Sequence, residues 1–185
     1  MKKIKLLSTA VWLCAVILTI NSAHAQAIKP GQWRFGIGLE VAKPLGSLND
    51  VSNLGLGLTP RLQYGLSDNL AFTLTSGYYN FFGKTYTATL INPFSGSTTY
   101  TVDGKDLGIV PVKAGIKAFF SEGWYLGAEA GAGFETNGTG NVKLDVAPAL
   151  GYAVKQWEVS GRYERLMGSG TYGFVGLRVA YGFGL

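Results

Sequence analysis

The chain has 185 residues, a net charge of +5 at pH 7 and 27 glycines, but only one Cys and one His. Both of these residues, Cys14 and His24, fall within the first 25 positions. The rest of the chain therefore excludes disulfides, thiol nucleophiles, histidine-based triads and metal sites built from His or Cys. Abundant glycine together with frequent aromatic residues favours a β-rich protein over a helical one.

Residues 1–25 have the pattern of a cleaved secretory signal peptide. Three lysines precede the apolar run "LLSTAVWLCAVILTI", and "AHA" at 23–25 is a small-x-small cleavage site, so Gln26 is the predicted mature start. A membrane anchor is the alternative, but the run is shorter than the ~20 residues of a helical span. Without this segment, thirteen basic residues face eleven acidic ones, and a net charge of +2 gives no support for nucleic-acid binding.

The mature chain, residues 26–185, is expected to form one domain. Eight of its segments alternate large apolar residues with Gly, small, polar or charged residues at a period of two. This period is typical of β-strands that present two different faces. The eight predicted strands are 33–41, 54–66, 70–80, 110–120, 124–135, 142–154, 157–164 and 175–185.

The predicted connections alternate between short and long. Tight turns are expected at 67–69, 121–123 and 155–156, and longer connections at 42–53, 81–107, 136–141 and 165–172. An even number of strands with short turns at one end and longer loops at the other is typical of outer-membrane barrels. The predicted fold is therefore all-β, an eight-stranded antiparallel up-and-down transmembrane β-barrel.

The large apolar faces are expected to contact lipid, because an eight-stranded interior is only just wide enough to be filled by side chains. Pro60 and Pro148 fall on these faces within strands, which predicts a bulge or a lost ladder bond at each. Aromatic residues near strand ends predict two interfacial girdles. They are Trp33, Tyr64, Trp124, Phe134, Tyr152, Trp157 and Phe183.

The opposite faces carry nearly balanced charges, which predicts a structural network of ion pairs in the lumen because an unpaired buried charge is costly. Two alternatives remain open: carboxylate catalysis by Glu129 with Glu135 or by Glu158 with Glu164, and a narrow pore. The predicted network comprises Arg34, Glu40, Arg61, Lys113, Lys117, Glu129, Glu135, Lys143, Asp145, Glu158, Arg162, Glu164 and Arg178. No cofactor or metal is expected.

Residues 27–185 resemble the small eight-stranded outer-membrane β-barrel family, the OmpX/OmpA-like barrel domains. The resemblance rests on "AHAQ", on "IVPVKAGIKAFF-SEG-WYLGAEAGAG", on "APALGY" and on the alternating C-terminal strand. It implies export by the general secretory route to the outer membrane of a Gram-negative bacterium. It also implies periplasmic chaperones, the barrel-insertion machinery and outer-membrane lipid as partners. In the family the last strand is the assembly signal, which here corresponds to Tyr181, Phe183 and Leu185.

The connection "KTYTATLINPFSGSTTYTVDGKD", residues 84–106, has two β-prone stretches around "NPFSG". We predict a hairpin that extends beyond the bilayer and whose exposed edges pair with a surface partner. A polar surface loop without a dedicated partner is the alternative. The resulting functional prediction is a non-enzymatic outer-membrane barrel with structural, adhesive or interaction roles, and the alternative is a narrow porin-like channel for small solutes.

Overall fold

The computed structural model describes residues 29–92, 96–137 and 140–184. It contains eleven β-strands and one short helix, α1, Ser47–Val51. Within the described residues, no helix has both the length and the apolar character needed to cross a membrane. The strands are β1 Trp33–Leu45, β2 Ser52–Ser67, β3 Leu70–Ser76, β4 Tyr78–Gly83, β5 Thr85–Asn92, β6 Gly96–Asp103, β7 Leu107–Phe119, β8 Trp124–Glu135, β9 Val142–Val154, β10 Trp157–Met167 and β11 Tyr172–Gly184.

Nine of these strands form one closed antiparallel sheet. Apart from β4, which pairs with β2 and β7, each strand pairs with a sequence neighbour in the sheet, and β1 pairs with both β2 and β11, so no edge remains open. Strands β3 and β4 are two halves of one barrel strand, because both pair with β2 on one side and with β7 on the other. With β3 and β4 counted as one, the barrel has eight strand positions, which we call staves, and the predicted fold is confirmed.

The barrel has a turn end and a loop end. The predicted tight turns are confirmed between β2 and β3, between β7 and β8, and between β9 and β10. The predicted connection 136–141 is confirmed, whereas the other three longer connections are shorter than predicted, because the strands continue past the last strongly alternating residues. The β1–β2 connection is 46–51 rather than 42–53, and the β10–β11 connection is 168–171 rather than 165–172.

The prolines interrupt the ladder but do not shift its register. No pairing is recorded between β2 and the β3–β4 stave opposite Thr59 and Pro60, whereas the register is the same on both sides of the gap. Pro148 likewise lies beside a gap in the β9–β10 ladder. Of the two predicted outcomes, a lost ladder bond fits and a bulge does not. The stave breaks at Gly77, which by the flanking register faces Thr59, the neighbour of Pro60, on β2 and Pro111 on β7.

The outward face is apolar over its whole circumference, and the side chains of Leu39 and Leu126 are 67% and 57% exposed. The seven named aromatic residues are concentrated at the turn end, and Phe82, Phe134 and Tyr163 are exposed aromatic residues toward the loop end. Six of the seven named residues lie at the turn end, where Trp33 packs on Tyr64 with ring centroids 4.7 Å apart and Trp124 packs on Tyr152 at 5.2 Å. At the loop end the corresponding outward positions are mostly aliphatic, and of the seven residues Phe134 lies there.

Candidate functional site

The inward positions of the barrel strands carry the charges. All thirteen residues of the predicted network have buried side chains. Twelve of them take part in ion pairs with one another. The thirteenth, Arg34, donates to the Lys155 carbonyl at 3.0 Å near the turn end. The period-two alternation of each strand is what directs these side chains to the same closed space.

Glu158 on β10 lies at the centre of the turn-end half of the interior. Its carboxylate accepts from the guanidinium groups of Arg61 and Arg178 at 2.9 and 3.0 Å, and it also pairs with the Lys117 ammonium. The Tyr125 hydroxyl donates to the same carboxylate at 2.9 Å. Three cations from three different staves therefore converge on one anion.

Arg162 joins this cluster to the loop-end half. One of its terminal nitrogens is 2.8 Å from Glu40, and the other is 3.2 Å from Glu129 and 2.9 Å from Glu164. Glu129 in turn pairs with Arg61 at 3.0 Å. Because Arg162 contacts carboxylates of two other strands, Glu40 on β1 and Glu129 on β8, as well as Glu164 on its own strand, it closes a network across the interior.

The network continues to the loop end through Lys113, which pairs with Glu164 and lies 3.2 Å from Asp145. Ten side chains are thus linked, and five are basic and five acidic. A further pair, Lys143 with Glu135, is 3.5 Å long. Lys143 also donates to the Ser169 and Gly170 carbonyls, so it fastens the β10–β11 loop to β9.

Polar side chains that the sequence analysis did not single out complete the network. The Thr59 hydroxyl donates to Glu40 at 3.0 Å, and the Thr73 and Thr75 hydroxyls donate to Glu129 at 3.1 and 2.8 Å. Gln63 accepts from Lys117 at 3.1 Å. The signal that identifies them is the same alternation, since each lies two or four positions from another inward residue.

An apolar cluster fills the loop end of the interior, and the sequence analysis missed it. Its aromatic members are Tyr79, Phe81 and Phe174, whose ring centroids lie 5.1 to 6.2 Å apart. Leu48 of α1 is completely buried against them, so the β1–β2 loop folds inward over the barrel mouth. The remaining buried members are Ala42, Ile109 and Leu166.

Large side chains that cross the barrel fill the space beside several interior glycines. A Cβ atom at Gly57 would collide with the Tyr79 ring, one at Gly55 with the Phe81 ring, and one at Gly151 with the Tyr125 ring. A Cβ atom at Gly38 would likewise collide with the Arg178 guanidinium. The space left by glycine is therefore filled by aromatic and arginine side chains.

The hairpin predicted from residues 84–106 is confirmed as strands β5 and β6. They pair with each other from Thr85 opposite Asp103 to Asn92 opposite Gly96, and within the described residues they pair with no barrel strand. Eight residues at the usual strand rise make it about 27 Å long. The "PFS" part of the predicted turn lies outside the described residues.

The two faces of the hairpin differ. One face is a threonine ladder, in which the hydroxyls of Thr89 and Thr99 lie 3.3 Å apart. The other face exposes Tyr86, Tyr100 and Val102, with Val102 63% exposed. Both outer edges are unpaired along the described part of the hairpin.

The hairpin is fixed to the barrel mouth at its base. The Tyr86 hydroxyl donates to the Asp50 carbonyl at 2.6 Å, and the Lys84 ammonium donates to the Asn49 carbonyl. Asp106 accepts from the Asn80 side-chain amide at 2.8 Å and from the Gly83 backbone N–H at 2.9 Å. These two hydrogen bonds lower the pKa of the Asp106 carboxyl below its ordinary value.

The predicted assembly signal lies partly within the described chain. Tyr181 and Phe183 are outward residues of β11 at the turn end, with ring centroids 5.0 Å apart, and Leu185 lies outside the described residues. The predicted signal peptide, residues 1–25, lies outside them as well. Across residues 29–92, 96–137 and 140–184, no group of three or more His, Cys, Asp or Glu side chains is placed to hold a metal ion.

Solved structures with a similar fold are small outer-membrane proteins. The crystal structure of Ail, the attachment invasion locus protein of Yersinia pestis, matches with a TM-score of 0.53 and 14% identity, over 83% of this chain and 99% of that chain. Ail in a phospholipid bilayer nanodisc gives a TM-score of 0.51 with the same identity and coverage. Neisserial surface protein A matches with a TM-score of 0.46 and 17% identity, over 82% and 97%. No protein-family model and no curated protein sequence matches the chain.

The combination of a closed barrel, an apolar outside and a charged, paired inside defines a transmembrane β-barrel, since lipid requires every backbone group to be satisfied within the protein. The chain has the fold of the small eight-stranded outer-membrane barrels of the OmpX/OmpA kind.

Proposed function

We propose that this chain is a non-enzymatic integral outer-membrane protein whose barrel is an anchor with a filled interior. The proposal includes removal of residues 1–25, export by the secretory route, and assembly through periplasmic chaperones and the barrel-insertion machinery. The observation that carries it is the filled interior. Ten linked charges cross the middle of the barrel, and Tyr79, Phe81 and Phe174 close its loop end. Within the described part of the chain, neither the ten linked charges nor the apolar cluster contains a His or Cys residue, and neither has a group of side chains placed to hold a metal ion.

Single-channel conductance in planar bilayers tests the filled interior. We expect the wild-type protein to be silent, because opening a path requires breaking buried ion pairs that hold each other in place. Replacing Arg162→Ala or Arg178→Ala removes a side chain that crosses the interior and should produce openings. Arg165→Ala is the matched control, since Arg165 lies on the same strand as Arg162 but is exposed.

Steady conductance of the wild-type protein would overturn the anchor and establish the second candidate, a narrow porin-like channel. Near-equal numbers of basic and acidic residues in the interior would then give weak ion selectivity. Silence of both arginine variants would show that the apolar cluster alone closes the barrel, and Phe81→Ala with Phe174→Ala would become the next variants.

We propose that the hairpin β5–β6 is the part of the anchor that meets a surface partner. Its free edges offer unpaired backbone groups to an added strand, and its Tyr86, Tyr100 and Val102 face offers apolar area. The name of Ail, the attachment invasion locus protein, gives an attachment role to that protein.

Expression of the protein on the surface of a Gram-negative host tests whether the hairpin has an adhesive role. Replacing residues 86–102 by a short Gly-Ser linker keeps Lys84, Asp106 and the barrel. We expect cells carrying this variant to be retained on a monolayer of cultured epithelial cells several-fold less than cells carrying the wild type. Equal retention at equal surface amounts would overturn the adhesive role and leave the barrel proposal untouched.

A further inference from the structure

Two charged side chains break the otherwise apolar outside of the barrel. Among the outward positions of the eight staves, within the residues that the structure describes, Lys43 on β1 and Arg165 on β10 are the only charged ones. Each lies two residues from the loop end of its strand, and both are basic and exposed. Scattered charges would have fallen at both ends and on distant strands.

The register brings these two cations to the two sides of one strand, β11. Lys43 and Tyr163 both pair with Val175, and Arg165 and Leu45 both pair with Gly173. Two strand spacings separate Lys43 from Arg165 laterally, roughly 10 Å. Extended lysine and arginine side chains span this gap, so both heads can contact the same headgroup.

Gly173 lies on β11 between the strands that carry the two cations. A Cβ atom at Gly173 would lie 3.4 Å from the Tyr163 hydroxyl, so the Tyr163 side chain reaches over Gly173 and its hydroxyl lies between the two cation-bearing strands. Lys43 donates to the Asn53 carbonyl of β2 at 3.4 Å, on the side of β1 away from β11. Because this hydrogen bond is long and exposed, the Lys43 side chain can exchange it for a phosphate oxygen by turning toward β11. Arg165 has no ion pair within the described residues. The two adjoining loops, 46–51 and 168–171, carry one acidic residue, Asp50.

We propose that Lys43, Tyr163 and Arg165 bind the phosphate group of a membrane lipid in the leaflet at the loop end of the barrel. An arginine guanidinium offers paired N–H donors that match phosphate oxygens, and the ammonium and hydroxyl supply further donors. The exposed outward residues that follow Gly173 on β11, Val175 and Leu177, are placed along the acyl chains of that lipid. This site rests on the proposed membrane insertion and adds a lipid of defined headgroup chemistry to it.

Lipid retention tests the site. The full chain, purified from membranes, is exchanged into mixed micelles of non-ionic detergent with equal amounts of dioleoylphosphatidic acid and dioleoylglycerol, which has the same acyl chains but no phosphate. Retained lipids are then counted by native mass spectrometry. We expect several-fold preference for phosphatidic acid in the wild type. The Lys43→Gln/Arg165→Gln protein should lose this preference, whereas Lys29→Gln/Lys105→Gln, with the same change of charge elsewhere on the surface, should keep it.

Two further experiments, one with a variant and one with inorganic phosphate, distinguish a lipid site from a site for a free anion. Gly173→Val displaces the Tyr163 hydroxyl but keeps both cations, so retention should fall; unchanged retention would overturn the site. Excess inorganic phosphate should not displace the lipid, and complete displacement would reassign the site to a free anion. Heat-dependent migration on a gel monitors folding and insertion into vesicles. A wild-type protein that fails to insert contradicts the membrane proposal, whereas one that inserts but retains both lipids equally contradicts only the phosphate site.

Discussion

Glu158 shows how strongly one side chain of this interior depends on its neighbours. Its carboxylate balances Arg61, Arg178 and Lys117 at once, and it is buried, with only 4% of its surface exposed, so water does little to stabilise a change in charge. A buried cation that loses its partner retains the desolvation penalty without the attraction that offset it. The energetic consequence of changing Glu158 therefore falls on three other residues.

We expect Glu158→Gln to lower the free energy of unfolding by about 3–5 kcal/mol, the usual range for removal of one partner of a buried ion pair. Urea unfolding of the protein in lipid vesicles measures it. Glu122→Gln, in the exposed β7–β8 turn, is the matched control and should change stability by less than about 0.5 kcal/mol. A loss no larger than that of the control would mean that water enters the interior and screens the three cations.

The inward charges were predictable from sequence because each lies in a strand with clear alternation, such as Glu158, Ser160 and Arg162 on β10. The partners of each charge were not, since Arg61 and Glu158 are 97 positions apart and meet only when the barrel closes. The apolar cluster was missed for a different reason. Phe174 and Leu166 lie in strand ends that the alternation alone did not extend to, and Tyr79 and Phe81 follow the interruption at Gly77.

At the scale of elements, the hairpin β5–β6 depends on a small set of contacts at its base. Asp106 receives one hydrogen bond from the Asn80 amide and one from the Gly83 N–H. Both donors favour the ionised carboxyl, so its folded-state pKa lies below the ordinary value of 3.8. The stabilisation is thus present above the unfolded-state pKa and is lost as pH falls through the lower folded-state value.

We therefore expect the Asp106 carboxyl to titrate below pH 3.8 in the folded protein, with a parallel change in the Gly83 amide resonance. Nuclear magnetic resonance of the protein in nanodiscs measures both. Asp106→Asn should remove the titration from the Gly83 resonance and should speed hydrogen exchange at the hairpin base. A titration midpoint at or above 3.8 would show that the two hydrogen bonds do not persist in solution.

The prolines show how a β-strand accommodates a residue that has no backbone N–H to donate to the neighbouring strand. Pro60 and Pro111 lie on the two strands that flank Gly77, so the missing donors fall on the two sides of one break in the stave. The sequence analysis expected a disturbance at Pro60 but did not place the break in the neighbouring strand, because pairing between distant segments determines where the gap lies.

At the scale of the whole molecule, the outward face determines how deeply the barrel sits in the bilayer. Leu39 is the central residue of β1 and the most exposed of the large apolar side chains, whereas Leu45 is the last residue of the same strand. The two leucines face the same way, so they differ mainly in depth.

We expect Leu39→Arg to lower the free energy of unfolding by about 2–4 kcal/mol, the range for arginine at the bilayer midplane. Leu45→Arg should lower it by only about 0–1 kcal/mol, because it lies near the interface. Urea unfolding in vesicles compares the two variants. Equal losses, or a larger one at Leu45, would contradict the placement of the midplane near the centre of β1.

The barrel is closed only when its first strand, β1, pairs with its last strand, β11. The strand that emerges last from synthesis, β11, pairs with the strand that emerges first, and it carries Arg178, which lies opposite Glu40. A chain that stops short of β11 lacks Arg178, which pairs with Glu158, and leaves the β1 edge open. Contacts between such distant segments form slowly. The edges of β1 and β11, and the charges on these two strands, therefore stay uncovered until the barrel closes.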